Sequence, residues 1–366
     1  MPEAAVTRRE ILATGAAAGA ALTLPNFQIT GADPARKVGF AILGLGGYAQ
    51  GQILPAFARS TKCRIAALVS GTPAKLAELG ERYGVPERSR YSYAEIERLK
   101  DNPDVDVVYV ITPPGLHREH TVRAAGAGKH VLCEKPMANT EAECRDMIAA
   151  CRRAGKLLMI GYRSHYEAHN LRAMAATTGG ELGALRSVAS EHGFSGPRTG
   201  WRIDKELAGG GALWDIGIYG VNAARYLTGA DPVEVTALTS KNPGDDRFRE
   251  VDDVTHMILR FPKEILASIS TGYSWRGANN YRVIGTRGTL LAEPATPYGG
   301  HRLVLNGADP KVTPNDQFSA MLDHMADAVL SGAKTTRTPG EMGLTDIRIL
   351  EASLRSARDG RPVKLA

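Results

Sequence analysis

The stretch KVGFAILGLGGYAQG, Lys37 to Gly51, joins an apolar segment to a glycine-rich turn. The apolar segment predicts a buried β-strand, and the residues after the turn predict a helix. Within the turn, GLGGYA from Gly44 to Ala49 fits the pattern G-x-G-x-x-G/A. Such glycines allow a tight turn and let backbone N–H groups approach a pyrophosphate at the helix N-terminus. In this strand–turn–helix context the stretch predicts a dinucleotide site that contains Gly44, Gly46, Gly47 and Tyr48.

Apolar strand-like segments and helical segments alternate from this turn to about residue 160. This alternation predicts βαβ units and a parallel sheet with helices on both faces. After about Gly161 strand-like segments dominate, and several of them alternate polar and apolar residues, as in a sheet with one open face. We therefore predict an α/β protein. A Rossmann domain spans residues 33–158, and an α+β domain with a large, mostly antiparallel, open-faced sheet spans residues 159–366.

The pattern of the first residues indicates an export signal. TRREILATGAAAGAALTLP contains Arg8 and Arg9, followed by an apolar run from Ala13 to Leu24 that is too short to span a bilayer. This pattern predicts a twin-arginine signal peptide over residues 1–32, cleaved after Ala32. It implies contact with the twin-arginine translocase during export and a periplasmic location. The alternative is an ordinary N-terminal helix.

Composition argues against nucleic-acid and membrane partners. The chain has 366 residues, 43% of them hydrophobic and 23% charged, with a net charge of +6, as in ordinary globular enzymes. Its basic residues form no runs longer than pairs and no aromatic-basic motif, so we expect no nucleic-acid partner. Apart from the leader, no segment suits a membrane span. His165, His169 and His192 show no ligand spacing with carboxylates, so we predict no metal site.

The end of the second predicted strand indicates which dinucleotide binds. An NAD site usually places a carboxylate there to bond the ribose hydroxyls. In this chain Ser70 and Gly71 occupy that position, no Asp or Glu occurs from Val38 to Ala77, and Lys75 follows. A cation without a carboxylate favours a 2′-phosphate and therefore NADP. The alternative is that Lys75 is only a solvated helix residue.

Two further motifs carry polar groups that suit catalysis. CEKPMA, Cys133 to Ala138, ends the fourth predicted strand, where parallel sheets bind ligands. Pro136 restricts Lys135 to an extended backbone, which directs its side chain into the crevice, and we expect a cis Lys135–Pro136 bond. In GGGALWDIGIYG, Gly209 to Gly220, Asp215 and Tyr219 lie one helical turn apart on the same face. Spacing alone leaves open whether that pair is catalytic or a hydrogen-bonded part of the core.

Gly44-x-Gly46, Glu134-Lys135-Pro136 and Asp215-x-x-x-Tyr219 together resemble the glucose-fructose oxidoreductase, inositol dehydrogenase and rhizopine-catabolism (Gfo/Idh/MocA) family. The resemblance covers nearly the whole chain from Val38. It is strongest to the branch of glucose-fructose and aldose-aldose oxidoreductases, through MIGYR at 159–163 and EPATPY at 293–298. Many family members carry His where this chain has Tyr219.

The resemblance implies a set of site residues. Tyr219 would exchange the proton of the sugar hydroxyl, because a nearby cation favours the phenolate form of a group whose reference pKa is about 10. Lys135 would be that cation, and Asp215 would hold Lys135 or bind a sugar hydroxyl. The residues expected to bind substrate are Lys135, Tyr162, Asp215, Tyr219 and Tyr298. The residues expected to bind the cofactor are Gly44, Gly46, Gly47, Tyr48, Ser70, Lys75, Thr112, His117, Glu134, Lys135, Arg163, Trp201 and Arg202.

The implied activity is a sugar oxidoreductase with tightly bound NADP(H). An exported enzyme cannot exchange its cofactor with a cytoplasmic pool, so one substrate must reduce the cofactor and a second must reoxidise it. We expect an aldose to become a lactone and a second sugar, an aldose or a ketose, to become an alditol. The C-terminal sheet would also suit a homo-oligomer. Alternatives are an exported NAD(P)-dependent glycosidase, a sugar dehydrogenase with exchangeable NADP, and a non-enzymatic dinucleotide-binding regulator.

Overall fold

The computed structural model describes residues 36–196 and 200–365. A parallel sheet lies in its N-terminal part, between Val38 and Ile160. Within that part of the chain the sheet has six strands in the order β3-β2-β1-β4-β5-β6. The strands are β1 Val38–Leu43, β2 Cys63–Val69, β3 Arg90–Tyr91, β4 Val107–Val110, β5 His130–Cys133 and β6 Leu158–Ile160. Every residue of β1 and β4 is buried, as continuous apolar strands covered on both faces should be.

Helices follow the strands of this sheet in the predicted alternation. They are α1 Leu54–Ala56, α2 Pro73–Arg82, α3 His117–Gly126 and α4 Glu141–Arg153. The glycine turn after β1 leads into a π-helical segment, Ala49–Ile53, before α1. At α4 a capping box forms, in which Thr140 accepts from the N–H of Glu143 and the Glu143 side chain accepts from the N–H of Thr140.

A second, larger sheet follows. Its strands are β7 Leu185–Ser195, β8 Glu234–Ser240, β9 Val254–Arg260, β10 Leu266–Gly272, β11 Ser274–Gly285, β12 Thr289–Ala292, β13 Leu303–Leu305 and β14 Val363–Lys364. They lie in the order β13-β12-β11-β7-β10-β9-β8-β14, and among the described strands of this second sheet only β7 and β10 pair in parallel. Burial alternates along β9, and one face leaves Leu238, Ile258 and Ile284 exposed. The predicted fold class, including the mostly antiparallel sheet with an open face, is confirmed.

The later helices cover both sheets. They are α5 Ala168–Thr178, α6 Lys205–Ala208, α7 Ile218–Thr228, α8 Gln317–Leu330 and α9 Gly340–Asp359. α9 packs along β8, whereas α8 returns to the first sheet, where Phe318 and Met321 share a core with Phe40 and Ile42. The described residues belong to one compact unit, so the predicted boundary between residues 158 and 159 stays a prediction.

The predicted signal peptide, residues 1–32, lies outside the described residues. Among the helices from residue 36 onward, none combines the length and apolarity that a membrane span requires. All four cysteines are buried and unpaired.

Candidate active site

Lys135 lies at the carboxyl end of β5, where the Lys135–Pro136 bond is cis as expected. Its ammonium Nζ is 2.6 Å from the backbone oxygen of Asp215 and 3.5 Å from Asp215 Oδ1. It also lies 4.6 Å from the ring centroid of Tyr219. The structure therefore brings together the three residues that the sequence assigned to catalysis. Burial alone would lower the pKa of Lys135, but the neighbouring Tyr219, Asp215 and Glu134 outweigh it and raise that pKa.

Asp215 lies in a π-helical turn, Leu213–Gly217, that leads directly into α7. Its Oδ2 accepts hydrogen bonds from Arg202 Nε and from the Tyr273 hydroxyl, both at 2.8 Å. Burial alone would raise the pKa of Asp215, but the two cations and the phenol outweigh it and hold that pKa below its ordinary value. Asp215 is therefore a carboxylate whose bonds fix Lys135 and Arg202, and the supporting role is the one its contacts favour.

Tyr219 stands in the first turn of α7, with its ring between two neighbours. Its hydroxyl oxygen accepts a hydrogen bond from Arg163 Nη2 at 3.2 Å. The ring stacks on His192, with centroids 5.8 Å apart and planes inclined by 20°. Burial, with the charges of Arg163 and Lys135, lowers the pKa of His192 to about 3, so this imidazole is neutral near pH 7. The Tyr219 oxygen therefore contacts the Arg163 cation, and the neutral His192 ring stacks on the Tyr219 ring.

Arg163 follows β6 and is only 3% exposed. Its Nη1 donates to Gln317 Oε1 at 2.7 Å and to the carbonyl of Pro297 at 2.8 Å. Its Nη2 donates to the carbonyl of Thr296 at 2.6 Å as well as to Tyr219. We predicted Arg163 as a cofactor contact; the structure places it beside the phenol oxygen, and the cofactor contact stays a prediction.

Glu134, the residue before Lys135, is buried beneath the site. Its Oε1 accepts from the Tyr109 hydroxyl at 2.6 Å, and its Oε2 accepts from the backbone N–H of Lys135 at 3.2 Å. Burial raises the pKa of Glu134 despite the hydrogen bond from Tyr109. These contacts hold the Lys135 backbone in place, whereas a contact between Glu134 and cofactor stays a prediction.

The glycine turn has the shape that a dinucleotide needs. Gly44 has φ +100°, and a Cβ there would lie 2.8 Å from the carbonyl carbon and oxygen of Ile111. Gly46 and Gly47 are exposed, and a Cβ on either would meet nothing within 4 Å. Gly44 is therefore required by the packing of the turn against β4, and the backbone of the other two faces open space. This cradle fits a pyrophosphate.

The end of β2 is followed by Ser70 and Lys75, whose contacts with the ribose of the dinucleotide stay predictions. Ser70 follows the strand and accepts a hydrogen bond from the N–H of Thr72 at 3.1 Å, and Lys75 lies in the first turn of α2. Tyr93 was not predicted; its ring would lie 3.1 Å from a Cβ at Gly71. Tyr93 follows a strand of two residues, so no sequence pattern placed it here.

An aromatic wall joins the glycine turn to the EPATPY segment. The ring centroid of Tyr298 lies 5.9 Å from that of Tyr48 and 5.8 Å from that of Phe318. Tyr298 is 54% exposed, and the Arg163 guanidinium lies 5.0 Å from its ring centroid. Tyr48 and Tyr298, predicted separately for cofactor and substrate, therefore line one continuous surface beside Tyr219.

Trp201 and Arg202 stand together at the other side of the cluster. The Arg202 guanidinium lies 4.4 Å from the Trp201 ring centroid while its Nε bonds Asp215. Arg202 thus belongs to the charged cluster around Asp215. The predicted cofactor contacts of both residues stay predictions.

Three predicted residues lie apart from the cluster. His117 is buried, and its ring nitrogens lie 2.7 Å from the Thr112 carbonyl and 3.0 Å from the Pro136 carbonyl. The hydroxyl of Thr112 pairs with His120 Nδ1 at 3.0 Å. Tyr162 is 4% exposed and packs in the core beside His165. Their geometry supports structural roles, and their ligand contacts stay predictions.

The glycines Gly209 to Gly211 pack against protein. A Cβ at Gly210 would lie 2.2 Å from the Trp214 ring, and one at Gly211 would lie 2.8 Å from Val251. The space beside these two glycines is therefore filled by side chains of the protein itself.

Several residues of the site were not predicted individually. Tyr273 follows β10, His192 lies within β7, Thr296 lies in the EPATPY loop and Gln317 begins α8. In the part of the chain that the structure describes, no group of three or more His, Cys, Asp or Glu side chains is arranged to hold a metal ion.

Comparisons with known proteins agree with this architecture. The family model "Oxidoreductase family, NAD-binding Rossmann fold" (GFO_IDH_MocA) matches residues 38–162, and "GFO/IDH/MocA C-terminal domain" matches residues 170–291. The solved structure of aldose-aldose oxidoreductase from Caulobacter crescentus, complexed with glycerol, is 52% identical with a TM-score of 0.88, covering 90% of this chain and 100% of that chain.

Two archaeal enzymes are also similar. D-xylose 1-dehydrogenase [NADP(+)] of Haloarcula marismortui is 30% identical over 342 residues, 90% of this chain and 93% of that protein. D-xylose 1-dehydrogenase (NADP(+)) 2 of Haloferax volcanii is 32% identical over 336 residues, 89% of this chain and 99% of that protein. From its dinucleotide cradle to its second sheet, this chain belongs to the Gfo/Idh/MocA family of NAD(P)-binding oxidoreductases.

Proposed function

We propose that this enzyme oxidises an aldose at its anomeric carbon to a lactone and reduces a second sugar carbonyl to an alditol with one tightly held NADP(H). The observation that carries this proposal is the pairing of Tyr219 with two cations. Arg163 donates to the phenol oxygen at 3.2 Å, and the Lys135 ammonium lies 4.6 Å from the ring centroid. Such a phenol can take up and return a proton.

In the oxidation, the anomeric hydroxyl gives its proton to Tyr219 as the C–H hydride leaves. When bound, NADP(H) would supply the hydride acceptor for this oxidation and the hydride donor for the reduction of the second sugar. Lys135 and Arg163 stabilise the negative charge that moves between the sugar oxygen and the phenol oxygen. In the reduction, Tyr219 returns the proton to the carbonyl oxygen of the second sugar. The proton and the hydride taken from the first sugar are both delivered to the second.

The two binding surfaces support this assignment. Gly46 and Gly47 leave an open cradle for a pyrophosphate, and no carboxylate follows β2 before Glu78, which favours a ribose 2′-phosphate. The similar aldose-aldose oxidoreductase and xylose 1-dehydrogenases are named for sugar substrates, and the latter are named for NADP. Tyr298, 54% exposed beside Tyr219, offers an aromatic surface to a sugar ring.

The proposal includes export to the periplasm. Arg8 and Arg9 precede a short apolar run, so the protein would fold around NADP before it crosses to the periplasm through the twin-arginine translocase. A cofactor that cannot be replenished there must be recycled in place. Retention of the dinucleotide is therefore part of the function.

A product analysis tests the proposal. The purified protein is incubated with an aldose and a second sugar, without added cofactor, and products are quantified by chromatography. We expect lactone (or its hydrolysed acid) and alditol in equal amounts over many turnovers. A requirement for added NADP, with NADPH formed in equal amounts to lactone, would contradict internal recycling.

That contrary result would favour a second candidate, a sugar dehydrogenase with exchangeable NADP. The two xylose 1-dehydrogenase relatives support this candidate, because they share 30% and 32% identity along about nine-tenths of the chain. The same Tyr219 chemistry serves both reactions. Only the fate of the reduced cofactor distinguishes them.

A further inference from the structure

We propose that Arg163 is the positioning residue of the proton-transfer site, because its guanidinium holds the Tyr219 oxygen and stabilises the negative charge that forms on it. This inference rests on the proposed function of Tyr219 and adds the residue that makes the phenol effective. The sequence had assigned the tuning of Tyr219 to Lys135. The geometry divides the work differently between the two cations.

Arg163 is a buried charge with neutral partners. It is 3% exposed, and its hydrogen bonds reach the carbonyls of Thr296 and Pro297, the side-chain amide of Gln317 and the phenol of Tyr219. A buried charge whose hydrogen-bond partners are all neutral is unfavourable, and the buried carboxyl of Glu134 acts on Arg163 electrostatically without being one of these partners. Of these partners, only the phenol can become an anion. The free-energy cost of burying the Arg163 charge is therefore reduced when the Tyr219 oxygen becomes negative.

The Arg163 guanidinium is held in place by its other hydrogen bonds. Nη1 is held by Gln317 of α8 at 2.7 Å, and Nη2 is held by the Thr296 carbonyl at 2.6 Å. Thr296 is itself fixed, since its N–H and hydroxyl both donate to Asn279 Oδ1, at 2.8 and 2.9 Å. The donor that meets Tyr219 is thus preorganised, which is what stabilisation of a developing charge requires.

Lys135 occupies a different position relative to the phenol. Its ammonium bonds the Asp215 carbonyl at 2.6 Å and lies over the ring face, 4.6 Å from the centroid. A cation above an aromatic face interacts with the ring quadrupole. The Arg163 guanidinium also lies near the ring, 5.2 Å from the centroid, but in addition it donates directly to the oxygen, where the charge of a phenolate is concentrated.

The other titratable groups around Tyr219 do not replace Arg163. They are Lys135 from the end of β5, Asp215 from the preceding turn, His192 from β7, Tyr298 from the EPATPY loop and Tyr48 from the glycine turn. His192 has a pKa of about 3 because it is buried beside Arg163 and Lys135, so it is neutral near pH 7. Asp215 is balanced by Lys135 and Arg202 at 3.5 and 2.8 Å.

A tyrosinate titration tests the inference without any substrate. The ultraviolet difference spectrum of the intact holoenzyme minus its Tyr219→Phe variant isolates the ionisation of Tyr219 as the pH is raised. The titration is repeated in Arg163→Gln, with Arg163→Gln/Tyr219→Phe as its own baseline. We expect the midpoint to move upward by about one to two pH units, since a hydrogen bond to a charged group contributes about 1.5–3 kcal/mol.

Two further test variants and one control variant keep the test decisive. Arg163→Lys retains the charge but not the planar fork, so its midpoint should lie between those of wild type and Arg163→Gln. Gln317→Glu leaves Arg163 in place and gives it a carboxylate at an existing 2.7 Å contact. It should also move the midpoint upward, and it covers the case in which Arg163→Gln fails to fold. Arg202→Gln, which removes the cation bonded to Asp215, is the matched control and should shift the midpoint by less than Arg163→Gln.

Unchanged midpoints in both Arg163→Gln and Gln317→Glu would overturn the inference. So would loss of bound dinucleotide from Arg163→Gln with an unaltered titration, because that result makes Arg163 a cofactor residue only. The titration is independent of the reaction. It can therefore succeed when the two-sugar product analysis fails, and it can fail when that analysis succeeds. In activity assays, Arg163→Gln should also move the acid limb of the rate profile to higher pH.

Discussion

Replacement of Tyr273 by Phe tests whether Asp215 is the charged centre of the site. Tyr273 is fully buried, and its hydroxyl donates to Asp215 Oδ2 at 2.8 Å. The substitution removes this donor and one oxygen atom and leaves the ring in place. Asp215 retains Arg202 at 2.8 Å on the same oxygen, so the carboxylate is weakened but not left without a partner.

The expected magnitude follows from the charge of the acceptor. A hydrogen bond to a charged group contributes about 1.5–3 kcal/mol, whereas one between neutral groups contributes about 0.5–1.5 kcal/mol. We therefore expect Tyr273→Phe to lower the free energy of unfolding by about 2 kcal/mol. Because the pKa of Asp215 is lowered, its contribution to stability is present above the ordinary aspartate pKa of about 3.9 and is lost as the pH falls through the folded-state value. The penalty should thus be constant from about pH 5 to about pH 8.

Tyr281→Phe is the matched control. Tyr281 is also fully buried, and its hydroxyl donates at 2.8 Å to Asn170 Oδ1, a neutral oxygen that also accepts from Tyr226. The loss of one buried hydroxyl is common to both variants, so its packing effect cancels in the comparison. The assay is urea unfolding followed by circular dichroism, with both variants at the same cofactor occupancy. We expect about 1 kcal/mol for Tyr281→Phe.

Equal penalties for the two variants would refute the reasoning. That result would mean that Asp215 accepts from Tyr273 as a neutral acid or that the hydrogen bond is not formed. A penalty for Tyr273→Phe that shrinks between about pH 8 and about pH 5 would also contradict it, because the lowered pKa excludes protonation of Asp215 in that range.

Three other experiments test separate parts of the site. Tyr219→Phe is expected to lower kcat by about 10²–10⁴-fold while the bound nicotinamide spectrum is unchanged, and full activity would remove Tyr219 from acid–base catalysis. Ser70→Asp should shift the dinucleotide extracted from the protein from NADP towards NAD, because the carboxylate repels a 2′-phosphate; unchanged NADP content by mass spectrometry would argue against this site. Gly44→Ala should lower the free energy of unfolding by about 1–3 kcal/mol, since φ is +100° and the new Cβ would lie 2.8 Å from Ile111. At Gly46 a Cβ would have no neighbour within 4 Å, so Gly46→Ala should lower the free energy of unfolding by less than about 1 kcal/mol. Equal destabilisation by the two alanines would contradict the assigned geometry of the turn.

Local patterns explain why much of the fold could be predicted. The apolar strand before Gly44 and the helices that follow each strand have periodicities that are visible in single segments. β3 contains only Arg90 and Tyr91, which is too short to show a period. The docking of α8 on the first sheet was not predictable either, because an amphipathic helix does not specify which of two sheets it covers.

The site was predictable only where its residues belong to motifs. Lys135, Asp215 and Tyr219 were found from their motifs and meet as expected. Tyr273 lies 58 residues after Asp215, and no local spacing connects them. The contact between Arg163 and Tyr219 likewise depends on how β6 and α7 approach each other in three dimensions. The packing of Gly210 and Gly211 against Trp214 and Val251 was likewise not predictable, because Val251 lies far along the chain from these glycines.

The central claim is that one retained cofactor passes hydride between two sugars. The direct measurement is the absorption spectrum of the purified protein, with no dinucleotide added. We predict that an aldose makes the reduced-nicotinamide band appear and that a second sugar then removes it, while Tyr219→Phe shows neither change at a comparable rate. If the purified protein contains no dinucleotide, or if the band forms but no sugar removes it, the claim is contradicted.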